Sequence, residues 1–128
     1  MNNTATFENS LISLSYLGKM LLVDYKKRAI IDLKAAKKSI QEREKFTKNA
    51  PTLIIADFSK IEYVTTEARS FFAGPSNKTT MATAIIISSK IQEVMGKIYI
   101  KFNKPKTPVK LFTRISDAQE WLQTFIKS

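Results

Sequence analysis

The sequence predicts an α/β domain: an N-terminal hairpin followed by alternating helices and strands, with helices packed on a mostly parallel or mixed sheet. Three observations carry this expectation. Two largely apolar runs, Leu53-Ile54-Ile55-Ala56 and Ala82-Thr83-Ala84-Ile85-Ile86-Ile87, are bounded by turn residues, as in strands buried on both faces. Segments with apolar residues at steps of three and four stand before, between and after them. Two further runs, Leu11–Leu17 and Met20–Tyr25, flank Gly18-Lys19 and read as a hairpin. Such alternation implies right-handed crossovers between neighbouring parallel strands.

After the hairpin, Lys26-Lys27-Arg28 makes a polar turn, and Ala29-Ile30-Ile31 adds a short strand. Asp32 suits a helix N-cap, since its carboxylate can accept an otherwise unpaired backbone N–H. Leu33, Ala36, Ile40 and Phe46 then mark a helix running to about Lys48, which Asn49-Ala50-Pro51 ends. The strand Leu53–Ala56 closes on Asp57. Thr66–Phe72 is a short helix, stopped by Gly74-Pro75-Ser76-Asn77. Following the second buried strand, Ile91, Val94, Met95, Ile98 and Phe102 predict a helix over Lys90–Phe102, with a strand as the alternative because of Tyr99 and Ile100. Pro105 and Pro108 bracket a loop, Val109–Phe112 is the last strand, and Ser116–Lys127 is an amphipathic helix.

With 128 residues and no linker or repeat, the chain is read as one domain with a disordered stretch over residues 1–6. A hydrophobic content of 44% and a charged content of 25% are those of a folded globular protein. No apolar run approaches the roughly 18 residues of a membrane span, so no transmembrane segment is expected. The first residues carry no basic start and no apolar core, which argues against a secretory signal. A cytoplasmic location is the natural expectation.

Cysteine and histidine are both absent. Thiolate chemistry, disulfides, His-dependent triads and the usual zinc sites are therefore excluded. Only 11 carboxylates remain for acid–base work, and they are not paired in sequence. A non-enzymatic protein without metal or cofactor is the expectation. The net charge of +10 favours anionic partners, although much of it is lysine of the kind that solubilises a surface.

The run from Thr52 to Arg69 is the most informative. A buried strand ends on Asp57, passes a polar turn and reaches Thr65-Thr66 at the start of a helix, the arrangement that handles ligands in α/β domains. With the hairpin, Asp32 and this strand–turn–helix, the chain resembles the STAS family, shared by bacterial anti-sigma-factor antagonists and the cytoplasmic parts of sulphate transporters. It resembles more closely small stand-alone bacterial proteins of unknown function, which also carry the Phe102-Asn103-Lys104-Pro105, Leu111-Phe112, Ala118 and Trp121-Leu122 pattern. In the antagonists an Asp-Ser-Ser/Thr-Gly turn is phosphorylated by a partner kinase. Laid on this chain, its Asp falls on Thr65, its acceptor on Thr66 and its Gly on Ala68. The resemblance thus makes Thr66 the candidate phospho-acceptor. The residues alone offer a simpler role, in which Thr65 or Thr66 caps the helix.

Asp57, Thr65, Glu67 and Arg69 are the candidate partner or ligand contacts. Asp57, a lone carboxylate beside Ser59 and Lys60, equally suits a turn cap or a lysine pair, and Glu67 suits the positive end of the helix dipole. Lys97, Lys101, Lys104 and Lys106 are candidate anion contacts around the proline loop. A second basic group, Lys34, Lys37, Lys38, Arg43, Lys45 and Lys48, is expected on the outer side of the first helix. Phe71, Phe72, Phe102, Phe112, Trp121 and Phe125 are read as core. The leading expectation is a regulatory domain that binds a protein partner through Thr65–Phe72, with a homodimer also open. The alternative is a binding domain for an anionic or amphipathic ligand, a nucleotide or a lipid. Nucleic-acid binding is expected to be weak and non-specific.

Overall fold

A computed structural model describes residues 5–74 and 78–126. Strands β1 (Thr6–Glu8), β2 (Ile12–Leu17) and β3 (Met20–Tyr25) form an antiparallel meander. Its second turn places Gly18 at φ 59°, in the left-handed region that a side chain disfavours. Then follow β4 (Ile30–Ile31), α1 (Leu33–Thr47), β5 (Thr52–Asp57), β6 (Tyr63–Val64), α2 (Thr66–Ala73) and β7 (Thr80–Ile86). Helix α3 (Lys90–Ile98) runs on into a π-helical turn, Tyr99–Asn103, before β8 (Val109–Phe112) and α4 (Ile115–Gln123).

The main sheet has the order β1-β2-β3-β5-β7-β8, and β3, β5, β7 and β8 are parallel. As expected, the two apolar runs are adjacent, buried and parallel, with Ile55 opposite Ala84. Side chains alternate between two cores. One face sends Leu21, Val23, Tyr25, Ile54 and Ala56 against α1 and α2. The other sends Met20, Leu53, Ile55, Ala82, Ala84 and Ile86 against α4.

Local chemistry explains the helix boundaries. Asp32 caps α1, accepting from the Ala35 N–H at 2.8 Å, and Lys48 and Asn49 end it with φ of 56° and 61°. Thr65 caps α2. Gly74 ends α2, its N–H donating to the Phe71 carbonyl at 3.2 Å. The rest of the expected stop, Pro75-Ser76-Asn77, lies outside the described residues.

Several expectations need correction. Thr6, placed in a disordered tail, opens β1 and pairs with Ser15, whereas residues 1–4 lie outside the described residues. Ala29-Ile30-Ile31 does yield a strand, but Ile30 and Ile31 pair with Tyr63 and Val64 in a separate small sheet. Helix α4 starts one residue earlier than read and stops at Gln123, where the Thr124 hydroxyl donates to the Trp121 carbonyl at 2.6 Å. Lys127 lies outside the described residues. Arg43 is buried rather than outward-facing, whereas Lys34, Lys37, Lys38, Lys45 and Lys48 are exposed. Phe102, read as core, is 70% exposed.

Candidate functional site

Helix α3 does not close on the sheet. None of its residues is buried, and between it and the sheet lies a cavity of about 250 Å³. Ala56 of β5, Thr83 and Ile85 of β7 and Val109 of β8 form the floor. Ile91, Gln92, Met95, Gly96 and Tyr99 form the roof. Phe58, Val64 and Phe72 wall the side toward α2, and Arg43 and Tyr25 reach in from α1 and β3. That volume lies between the about 150 Å³ of a benzene-binding cavity and the about 300 Å³ of small drug-sized pockets.

Two contacts and a backbone turn define the roof. At its start, Ser89 caps α3 by accepting from the Gln92 N–H at 3.1 Å, while the Gln92 side chain donates to the Ser59 carbonyl at 3.1 Å. Midway, Gly96 meets Leu111: a Cβ there would lie 2.7 Å from Leu111 Cδ2, so a larger residue would force the Leu111 side chain to shift. At its end, the left-handed Lys104, φ 49°, stops the π-helical turn. Such turns break the regular helical ladder and recur at functional positions.

The polar end of the cavity is Arg43, one of the few buried charged residues. Its Nη2 donates to Thr80 Oγ1 at 2.9 Å. Burial pulls the guanidinium below its ordinary pKa, and the nearby Tyr25, Glu44 and Tyr99 counteract that. The Tyr25 hydroxyl donates to Ser39 Oγ at 3.1 Å, and Ser39 passes the chain on to the Ala36 carbonyl. Burial pushes the Tyr25 and Tyr99 phenols up, with the Arg43 charge acting against it in both. A cationic group and two neutral phenols thus stand at one end of a mostly apolar space, whose lining also includes Glu62, Arg69 and Gln92.

Of the candidate contacts named from sequence, only Arg69 lines this cavity. Its Nη1 donates to the Val64 carbonyl at 2.6 Å and its Nη2 to Thr66 Oγ1 at 3.1 Å. Thr65 is the cap, accepting from the Ala68 N–H at 3.2 Å, and Thr66 lies exposed in the first turn. Glu67 is exposed in the same turn. Asp57 caps a turn, taking the Ser59 N–H and hydroxyl at 2.9 and 2.6 Å. It also stands in register with Asp24, so two carboxylates that are far apart in sequence end neighbouring strands. Lys60 pairs with Asp24 at 3.2 Å. Lys97 pairs with Glu93 at 3.3 Å. Lys97, Lys101, Lys104 and Lys106 are exposed, and none lines the cavity.

Sequence reading missed Arg43, Tyr25 and Tyr99 as a cluster. A signal existed: Ala36, Ser39, Ile40, Arg43 and Thr47 fall on one helical stripe, and all are buried.

Residues 14–126 match the family model of a domain of unknown function, DUF7793. The chain belongs to that family. No curated protein matches it. Among solved structures it is similar to an uncharacterised protein of the DUF3478 family with a SpoIIAA-like fold, from Shewanella loihica PV-4. The TM-score is 0.62 at 15% identity, over 95% of this chain and 98% of that one. The likeness establishes the fold, and the STAS-like architecture expected from the Thr52–Arg69 run is the one found. No helix among the described residues is long and apolar enough to cross a membrane.

Proposed function

We propose that this chain is a non-enzymatic, STAS-like binding domain that takes an amphipathic anion into the cavity beneath α3. The observation that carries this reading is a helix with no fully buried residue roofing a mostly apolar space that ends on buried Arg43, with Glu62 and Arg69 also in its lining. An apolar body would gain the surface burial that α3 alone does not supply. An anionic head at Arg43 would meet a guanidinium whose planar donors suit a carboxylate or a phosphate. Within the ligand classes expected from sequence, the mostly apolar lining favours a lipid-like molecule over a nucleotide.

The test is calorimetric titration with decanoate, decanol and adenosine monophosphate. Decanoate should bind more tightly than decanol, and the nucleotide should not bind. Arg43→Met should remove the preference for decanoate, and Thr83→Phe, which fills the floor, should abolish uptake. Absence of saturable decanoate binding, or binding indifferent to both changes, overturns the reading.

A second reading, regulation by a protein partner, is favoured by the surroundings of Thr66. Its hydroxyl is exposed at the positive end of α2, with Arg69 3.1 Å away. A phosphate there would meet both the helix dipole and a guanidinium, while its charge altered the surface offered to a partner. Thr66→Glu should then weaken recovery of a native partner in a pull-down and Thr66→Ala should not. Equal recovery from both leaves Thr66 as a helix residue only.

A further inference from the structure

We infer that the outer side of α3 and its π-helical turn is a docking surface for an anionic lipid bilayer. Among the described residues seven large hydrophobics are exposed, and four of them lie on this one segment: Ile91 at 76%, Val94 at 46%, Ile98 at 38% and Phe102 at 70%. Exposed apolar residues scattered singly need no explanation, but a contiguous group marks a contact surface. At about 100° per residue, Ile91, Val94 and Ile98 fall within about 60° of one another, and Phe102 continues that side beyond Ile98. Val94, Ile98 and Phe102 do not line the cavity, and Ile91, which also roofs it, stands where the stripe meets the cavity rim.

Charge identifies what covers the stripe. From Lys90 to Lys110 the chain carries six lysines and one carboxylate, Glu93. Lys90 and Lys97 flank the apolar residues with side chains 82% and 67% exposed, and Lys101 and Lys104 follow. The Lys101 ammonium stands 5.5 Å from the Phe102 ring centroid, so a cation and a protruding aromatic share one spot. An apolar stripe bordered by lysines is the composition of a helix lying in a bilayer interface, where apolar groups enter the acyl boundary and ammonium groups remain among the phosphates. A second copy of the chain is a poorer occupant, because facing two such helices would also bring their lysine rows together. An anionic bilayer supplies apolar depth and negative charge at once.

The test is flotation of the full chain with vesicles of phosphatidylcholine alone or equimolar phosphatidylcholine and phosphatidylglycerol. Binding should occur on the anionic vesicles and fall as salt rises. The double variant Val94→Asp, Phe102→Asp should lose at least about tenfold in partitioning, as should Lys101→Glu, Lys104→Glu, Lys106→Glu. Met81→Asp, which removes an exposed hydrophobic elsewhere, should bind as wild type does. Near-ultraviolet circular dichroism confirms that each variant is folded. No binding to anionic vesicles, equal binding by all variants, or a dimer in solution that Val94→Asp dissociates overturns the inference. It does not depend on the ligand reading: decanoate uptake by the Val94/Phe102 variant should be unchanged, and a chain that docks without taking up decanoate refutes only the cavity.

Discussion

Helices α3 and α4 are each nine residues long, each amphipathic, and each lies over the same three strands, β5, β7 and β8, on opposite faces. There the likeness ends. Helix α4 has no side-chain cap at Arg114, yet Ala118 and Leu122 are fully buried, with Trp121 packed between Phe112 and Phe125 at ring separations of 5.7 and 5.0 Å. Helix α3 is capped by Ser89 and laced by the Glu93 ion pairs to Lys90 and Lys97, yet none of its residues is fully buried against the sheet in the way Ala118 and Leu122 are. One helix is held by tertiary packing and the other largely by local bonds. A helix held locally can leave a cavity beneath it and an apolar stripe above it.

The contrast can be broken most directly by truncation. Leu122→Ala should destabilise the domain by about 2–5 kcal/mol, the range for a buried leucine, while Val94→Ala should stay within about 0.5 kcal/mol. Urea denaturation of both variants measures the difference. Similar costs would make α3 a core element after all.

An alkaline titration sharpens the comparison at the one place where α3 reaches the polar end of the cavity. Tyr25 and Tyr99 both have phenols pushed up by burial. Above about pH 10 the unfolded chain loses those protons while the folded one retains them. Their stabilising contribution is therefore complete below that pH and is lost as pH rises, by up to about 1.4 kcal/mol per pH unit per tyrosine. Arg43, which faces both rings, stays cationic in this window. Tyr99→Phe should flatten the alkaline fall in stability, and an unchanged slope would mean that Tyr99 is solvated.

The smallest effect concerns the cap. Ser89→Ala should cost α3 about 1 kcal/mol of local stability. It should speed hydrogen exchange of α3 amides while those of α4 and the global unfolding midpoint barely move. A midpoint shift of the full amount would show that α3 unfolds only with the whole domain.

Much of the frame was legible because its signals are local. Gly18-Lys19 between two apolar runs, Asp32 before a helical period, and two buried strands each speak within a few residues. Strands β1 and β6 were not legible, since two or three residues carry no period and their partners lie elsewhere, Tyr63 pairing with Ile30. The site was less legible than the frame. Periodicity correctly gave α3 an apolar side, but a period cannot say whether the sheet or something else covers it. Arg43 sat on the buried stripe of α1, and its charge argued for the surface more loudly than its spacing argued for the core. Asp57 met the expected role of a turn cap, and Thr65 that of a helix cap. A cavity is what side chains fail to fill, and no residue announces it.

The strand order β1-β2-β3-β5-β7-β8 carries a consequence for how the chain is made. No later strand inserts between earlier ones, so during synthesis each can join the growing edge as it appears. One face receives its cover early, from α1 and α2. The other, with Met20, Leu53, Ile55 and Ala84, is covered among the described residues by α4, which follows every strand of the sheet in chain order. Until Ala118 and Leu122 arrive, a nearly complete sheet presents an apolar plane to whatever is nearby. Interrupted synthesis near β8 would therefore produce a sticky fragment, and the arrival of α4 acts as the release step from aggregation risk.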